Sequence, residues 1–134
     1  MANSFTAHFN NLFGSNLTHV ANAYGSRIFV SFSGTELVID AAKFNTDFKK
    51  FGVEIALKQN GFTATVQIGF GDYHQYRRGN AWEYMTVVDT SGNFICTNYP
   101  IAANRSFIVI KEGIKPQKYG SSNFFEDTRG NIHH

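Results

Sequence analysis

The stretch WEYMTVVDTSGNFICTNYPIAANRSFIVIK, residues 82–111, decides the fold class that the sequence predicts. Trp82–Val88 and Phe94–Asn98 are rich in β-branched and aromatic residues, and the polar cluster Asp89–Asn93 between them is typical of a turn. Ser106–Lys111, reading SFIVIK, has the same strand composition. Short turns between successive strands favour antiparallel pairing, because parallel neighbours need longer crossovers that usually carry a helix.

Further strands are predicted on the N-terminal side of this stretch. Arg27–Phe32 and Glu36–Ile39 form a predicted pair around a short turn. Val53–Leu57 and Phe62–Ile68 each alternate apolar with polar or small residues, and Asn60-Gly61 lies between them. Because Asn-Gly readily adopts the positive φ angles of a two-residue turn, this pattern predicts a β-hairpin.

Helical spacing is present in one internal segment. Phe44, Phe48 and Phe51 form a stripe on one helix face, and a glycine follows directly. Asp40 or Asn45 is the predicted N-cap, since short polar side chains can accept the free amides of the first turn. A helix of two to three turns is therefore expected before the predicted hairpin.

These elements predict a mostly β fold, an antiparallel β-sandwich-like domain with two short helices, and an α+β fold is the alternative. Residues 1–112 are predicted to form a single β-rich domain that begins with an amphipathic helix. Residues 113–134 contain glycine, polar residues and Pro116, and only Phe124, Phe125 and Ile132 as strong apolar anchors. They are predicted to be an irregular C-terminal tail.

Composition narrows the function classes. The chain has 134 residues, 14 Phe, 6 Tyr and a formal net charge of +2. This charge is too small to favour a nucleic-acid partner, and a single cysteine, Cys96, rules out an internal disulfide. The N-terminal residues lack the basic and apolar regions of a signal peptide, and no apolar run is long enough to span a bilayer. A cytoplasmic protein is predicted, secreted only if a leader has been removed.

The segment GDYHQYRRGNAWEY, residues 71–84, is the predicted ligand surface. Aromatic faces and arginine forks together suit a sugar, a phosphate or a lipid headgroup. The predicted ligand-binding residues are Tyr73, His74, Tyr76, Arg77, Arg78, Trp82 and Tyr84. The competing interpretation is structural: the aromatic side chains fill the core and both arginines are solvated. If the segment were a regular strand, Tyr73 and Arg77 would lie on one face and His74 and Tyr76 on the other.

Three other functions are alternatives to this non-enzymatic binding module. A membrane-binding or pore-forming protein would use the N-terminal amphipathic helix, through Phe5, Phe9, Leu12 and Phe13. An interaction or homo-oligomeric assembly protein would use Phe124 and Phe125 in the tail. A small hydrolase would use the carboxylates of Asp72 and Glu83, as paired carboxylates do in glycoside hydrolysis.

No metal ligand set, cofactor motif or nucleophile motif is recognised in the sequence. Histidines at metal-binding spacing are missing outside the terminal pair His133 and His134, which is either native or a remnant of a purification tag. Gly69-Phe70-Gly71 lacks the further glycine and the helix of a phosphate-binding loop. The sequence therefore predicts no cofactor, no metal and no catalytic residues outside the hydrolase alternative.

Overall fold

The computed structural model of the chain describes residues 17–77, 79, 82–102, 105–118, 125–126 and 132–133. Within these residues there are two helices, α1 (Ala41–Phe51) and α2 (Val53–Gln59). The described strands are β1 (Leu17–Asn22), β2 (Ile28–Ser33), β3 (Ala64–Ile68), β4 (Tyr73–Arg77), β5 (Trp82–Asp89), β6 (Phe94–Ala102), β7 (Arg105–Ile110), β8 (Gly113–Lys118), β9 (Phe125–Glu126) and β10 (Ile132–His133).

Eight of these strands form two four-stranded sheets. Sheet 1 has the order β4-β1-β7-β8 and sheet 2 has the order β3-β2-β5-β6. The pair β1–β7 is parallel, with Val20 opposite Phe107, and the other pairs within the two sheets are antiparallel. The predicted mostly β fold with few helices is confirmed, although the parallel pair makes sheet 1 mixed rather than purely antiparallel.

The two sheets pack face to face across one apolar core. Val20 and Phe107 of sheet 1 are buried in the same cluster as Val30, Met85 and Val87 of sheet 2. Alternation along each strand puts these side chains inward, because successive residues of a strand point to opposite faces. Each side chain of this size contributes roughly 1.5–3 kcal/mol when it is fully buried, so this core dominates the stability of the fold.

A second cluster joins the helices to the opposite face of sheet 2. Phe44 of α1 and Leu57 of α2 are buried with Phe62 and Val88, and Phe94 packs against them. The rings of Phe44 and Phe94 meet edge to face at 4.7 Å between centroids. Sheet 2 is consequently covered on both faces near the helices.

Helix α1 confirms the stripe that the sequence predicts. The carboxylate of Asp40 accepts hydrogen bonds from the amides of Ala42 and Lys43, both at 3.1 Å, so Asp40 rather than Asn45 is the N-cap. The helix ends at Gly52, whose φ of +93° is easily adopted only by a residue without a Cβ.

The first half of the predicted hairpin is wrong, because residues 53–59 form helix α2 instead of a strand. Val53, Ala56 and Leu57 are buried and Ile55 is exposed, which is the i, i+3, i+4 spacing of a helix face. Burial against sheet 2 favours this helical face over the apparent alternation of Val53, Ile55 and Leu57.

Asn60-Gly61 ends this helix instead of turning a hairpin. The amide of Gly61 donates to the carbonyl of Lys58 at 3.1 Å, and the amide of Phe62 donates to that of Leu57 at 3.0 Å. These two bonds form a Schellman motif, with Gly61 at a φ of +97° and Phe62 packed in the same cluster as Leu57. Asn-Gly is compatible with a hairpin turn and with a helix C-terminus, because both structures need a residue with positive φ.

The strand predicted at Glu36–Ile39 is also absent. Residues 34–35 form a bend, residues 36–40 belong to no helix or strand, and Leu37 and Ile39 pack against the cluster on the outer face of sheet 2. The side-chain amide of Asn98 replaces the missing strand partner. Its Oδ1 accepts from the amide of Leu37 at 3.1 Å, and its Nδ2 donates to the carbonyl of Leu37 at 2.8 Å. The side chain of Asn98 therefore holds the segment that joins β2 to α1 against β6.

The predicted tail begins with a regular element. Residues 113–118 form β8, which pairs with β7 so that Ile114 lies opposite Val109 and Pro116 opposite Phe107. This part of the tail is not irregular, and Pro116 is tolerated because β8 is an edge strand. Residue 124 and the N-terminal residues 1–16 lie outside the described residues, so the division into a domain and a tail stays a prediction.

Candidate functional site

The segment of residues 71–84 passes from one sheet to the other. Tyr73–Arg77 is β4, at the edge of sheet 1, whereas Trp82 begins β5 in sheet 2. The predicted ligand residues are consequently distributed over both sheets. Their closeness in sequence does not bring them onto a single surface.

His74 and Tyr76 lie between the sheets rather than on a surface patch. The ring of Tyr76 is stacked on Phe32 of sheet 2, with 3.9 Å between centroids and an interplanar angle of 4°. His74 approaches the same Phe32 ring at 6.1 Å. Burial lowers the pKa of His74, because a partly desolvated imidazole is less readily charged. The contacts of His74 and Tyr76 are therefore those of side chains that fill the core.

Glu83 is a buried carboxylate at the same end of the sandwich, with 3% of its surface exposed. Its Oε1 accepts a 2.5 Å hydrogen bond from the Tyr76 hydroxyl, and its Oε2 accepts a 2.6 Å bond from the amide of Gly79. Burial, this hydrogen bond and the nearby negative charge raise the pKa of Tyr76 to about 12. Glu83 therefore joins β4, β5 and the connection between them.

The structure does not bring Asp72 and Glu83 together. Asp72 is exposed and precedes β4, next to the end of β1, because its carbonyl accepts from the amide of Asn22 at 2.9 Å. Glu83 bonds to Tyr76, which is four residues beyond Asp72, and four residues of a strand span about 13 Å. Paired glycosidase carboxyl groups are separated by only about 5–10 Å. These positions lend no support to the hydrolase alternative.

Tyr73 and Arg77 lie on the outer face of sheet 1. Tyr73 is exposed and its ring lies 5.4 Å from the ring of His19, on the adjacent strand β1. Arg77 is exposed at the end of β4, on the same side by alternation. Arg78 is outside the described residues. The predicted arginine fork therefore does not share a described surface with Trp82.

Trp82 and Tyr84 lie on the outer face of sheet 2, the side that carries the helices. Their neighbours Glu83 and Met85 point inward, so alternation directs Trp82 and Tyr84 outward. Trp82 has 59% of its surface exposed, and Tyr84 pairs across the strands with exposed Pro100. We call Trp82, Tyr84 and Pro100 the aromatic shelf.

Hydroxyl groups and a groove border the aromatic shelf. Ser33 is the β2 partner of Tyr84, and its hydroxyl bonds to the carbonyl of Thr35 at 2.5 Å. Two residues before Pro100 on β6, Asn98 contributes to a groove of about 470 Å³. The groove is lined by Glu36, Leu37, Val38, Ile39, Ala41, Phe94, Thr97 and Asn98. A volume of this order is within the range of small-molecule sites.

The sequence pattern does not reveal the groove or two of its lining residues. Val38 lies in a predicted strand, yet 97% of its surface is exposed, and Asn98 lies at the end of another predicted strand. Asn98 adopts a φ of +51°, which non-glycine residues rarely do outside asparagine and aspartate. Pro100, two residues beyond the predicted strand Phe94–Asn98, was the available signal, because proline indicates an edge strand or a bulge.

Comparison with known protein families and with curated proteins found no match to this chain. The described residues form a mixed β-sandwich with two helices on one face. Among the described residues, no three His, Cys, Asp or Glu side chains are grouped closely enough to hold a metal ion. None of the described helices is long and apolar enough to cross a lipid bilayer.

Proposed function

We propose that this protein is a non-enzymatic binding module that takes a neutral, ring-shaped polar ligand, a sugar, on the aromatic shelf. The proposal rests on the exposure of Trp82, which is more than half exposed on a sheet face beside Tyr84 and Pro100. An exposed aromatic side chain leaves a large apolar area in water, and a ligand ring that covers it recovers part of that free energy.

Charge supports a sugar over a phosphate or a charged lipid headgroup. Arg77 points to the outer face of sheet 1. Beside the shelf, Ser33 and Thr35 are uncharged, and Glu36 in the bordering groove carries a negative charge that disfavours an anion. Hydroxyl and carbonyl groups exchange hydrogen bonds with sugar hydroxyls, while a phosphate needs cationic donors. The shelf therefore combines a stacking surface with neutral polar groups.

Trp82 also supplies the measurement, because it is the only tryptophan in the chain. Tryptophan fluorescence of the whole protein, titrated with a panel of neutral oligosaccharides, reports directly on the shelf. We expect a saturable shift of the emission with at least one sugar. Isothermal titration calorimetry then measures the same sugar with variants, since removing Trp82 also removes the signal.

The variants separate the shelf from the surface predicted by sequence. Trp82→Ala and Tyr84→Ala are expected to weaken sugar binding at least tenfold. Tyr73→Ala, which removes an exposed tyrosine from sheet 1, and Arg77→Ala are matched controls that should leave binding unchanged. Binding that is lost with Arg77→Ala and retained with Trp82→Ala would refute the shelf, as would a panel without any saturable response.

The remaining alternatives stay predictions. The membrane helix depends on Phe5, Phe9, Leu12 and Phe13, and these residues lie outside the described part of the chain. Assembly through the tail depends on Phe124, also outside it, and on Phe125, which belongs to β9. Liposome leakage with Phe9→Asp and the oligomeric state after removal of residues 113–134 would test them.

A further inference from the structure

The apolar face of helix α1 extends past the part of the helix that packs on sheet 2. Phe44, Phe48 and Phe51 occupy one face, and they change along the helix from buried to half-buried to 50% exposed. Ile55, in the first turn of α2, is 44% exposed. Core packing accounts for Phe44 and Phe48, whereas Phe51 and Ile55 leave apolar surface in water at the junction of the two helices.

Lysines surround this exposed apolar surface. Lys49 and Lys50 precede Phe51, and Lys58 follows Ile55 by one helical turn. The Nζ of Lys50 lies 5.8 Å from the centroid of the Phe51 ring, so its ammonium group borders the apolar patch. We call Lys49, Lys50, Phe51, Ile55 and Lys58 the helix corner.

The nearby carboxylates are engaged elsewhere. Asp47 forms an ion pair with Lys43 at 3.4 Å, and Glu54 accepts a hydrogen bond from Gln67 of β3 at 3.2 Å. The lysines of the helix corner make no described ion pair with these two groups. Lys49 and Lys50 are favourable at the end of α1 because of the helix dipole, but this effect does not explain the exposed Phe51.

With the helix corner against a bilayer, Phe51 and Ile55 would lie at the level of the upper acyl chains and the lysines among the headgroup phosphates, since interfacial helices combine apolar anchors with lysines in this way. The concavity of about 380 Å³ lined by Asn45, Thr46, Lys49 and Lys50 lies on the other side of α1 and takes no part in this docking.

We propose that the helix corner docks on the surface of a phospholipid bilayer that contains anionic headgroups. Charge complementarity selects this occupant, because the apolar anchors are bordered by lysines and anionic lipids carry the opposite charge. Two large side chains and three lysines give weak, reversible binding that depends on salt. The proposal is independent of the aromatic shelf and of the N-terminal helix.

The test is co-sedimentation of the full chain with vesicles of phosphatidylcholine alone or with added phosphatidylserine. We expect binding only when phosphatidylserine is present, and weaker binding as salt increases. Phe51→Ser with Ile55→Ser should reduce binding at least tenfold. Lys49→Gln with Lys50→Gln should do the same, because each lysine near an anionic surface contributes about 1 kcal/mol, and 1.4 kcal/mol is tenfold.

Two controls on sheet 1 match these changes. Tyr73→Ser removes an exposed aromatic residue, and Lys115→Gln removes one exposed positive charge, as the single variant Lys50→Gln also does. Both controls should bind like the unchanged protein, and the glutamine variants keep the test valid if the serine variant fails to fold. Equal binding by Lys50→Gln and Lys115→Gln, or no binding to phosphatidylserine vesicles, would overturn the proposal. Binding to polyglutamate without vesicle binding would also overturn it, in favour of an acidic protein partner.

Discussion

The hydroxyl of Tyr76 donates a 2.5 Å hydrogen bond to the carboxylate of Glu83 and thereby connects the inner faces of the two sheets. Tyr76 belongs to sheet 1 and Glu83 to sheet 2, so this bond spans the sandwich. Phe32 covers the Tyr76 ring on its face. A hydrogen bond within an apolar core needs both its donor and its acceptor, because an unpaired buried carboxylate is costly.

Tyr76→Phe should destabilise the protein by about 1–3 kcal/mol, because it leaves a buried acceptor with one donor fewer. Urea unfolding followed by circular dichroism measures the change. Tyr84→Phe is the matched control, since the Tyr84 hydroxyl makes no hydrogen bond to a described residue. We expect its effect to be within about 0.5 kcal/mol. Equal effects of the two variants would contradict the assigned role of Glu83.

Because the pKa of the Tyr76 hydroxyl is raised, we expect the protein to lose stability in alkali. The folded pKa of Tyr76 is about 12 and the ordinary value is 10.0, so the unfolded chain loses this proton first. The contribution is fully present below pH 10 and is lost as the pH rises through about 12. Unfolding free energies measured at several pH values should therefore fall less steeply above pH 10 in Tyr76→Phe than in the unchanged protein.

Asp89 predicts a loss of stability in acid. Burial raises its pKa, but hydrogen bonds from the backbone of Asn93, the Tyr24 hydroxyl and the amide of Ser91 outweigh burial and lower it overall. Its stabilising contribution is present above the ordinary value of 3.8 and is lost as the pH falls through the lower folded value. Asp89→Asn should lose stability at neutral pH and flatten this acid dependence, whereas exposed Asp72→Asn should change neither.

Two glycines should differ in their tolerance of a Cβ. Gly61→Ala should cost about 1–2 kcal/mol, because its φ of +97° is unfavourable for alanine although the surrounding space is open. Gly92→Ala should cost more, since a Cβ there would lie 3.0 Å from the Phe48 ring at a φ of +83°. Gly69→Ala, without a positive φ and with only the exposed Asp72 carboxylate near the new Cβ, at 3.2 Å, is the control. Thermal unfolding would show equal costs for Gly61→Ala and Gly92→Ala if the Phe48 ring can move away freely.

Asn98 should be sensitive to substitution for two separable reasons. Asn98→Gly removes both hydrogen bonds to Leu37 but suits the φ of +51°, whereas Asn98→Ala removes the bonds and adds conformational cost. We expect both to destabilise, with alanine worse by about 1 kcal/mol. Faster hydrogen exchange at the Leu37 amide in both variants would confirm that Asn98 pins the segment, and unchanged exchange would exclude it.

Part of the fold was predictable because the signals act over a few residues. The Phe44, Phe48 and Phe51 stripe with Asp40 before it specifies α1 through helical period and capping alone. The turn at residues 89–93 is specified likewise, since Asp89 accepts from the amides of Ser91 and Asn93. Neither feature requires knowledge of what packs on it.

The candidate site was less predictable because its members come from distant parts of the chain. Tyr84 meets Pro100 only through the pairing of β5 with β6, and Ser33 joins them through β2. The segment of residues 71–84 indicated aromatic binding chemistry, and the change of sheet between Arg77 and Trp82 then separated its residues. No local pattern reports a change of sheet.

Short segments of the sequence specify the strand-rich composition, the Asp40 cap and the turn at residues 89–93, because φ preferences and side-chain period are local properties. Tertiary structure decided whether residues 53–59 became a strand or a helix. Val53, Ala56 and Leu57 are apolar in either conformation, and burial against sheet 2 selected the helical face. Tertiary structure likewise decided that Glu83 is buried and Trp82 exposed, because which strands pair and which sheets face each other depends on packing between distant segments.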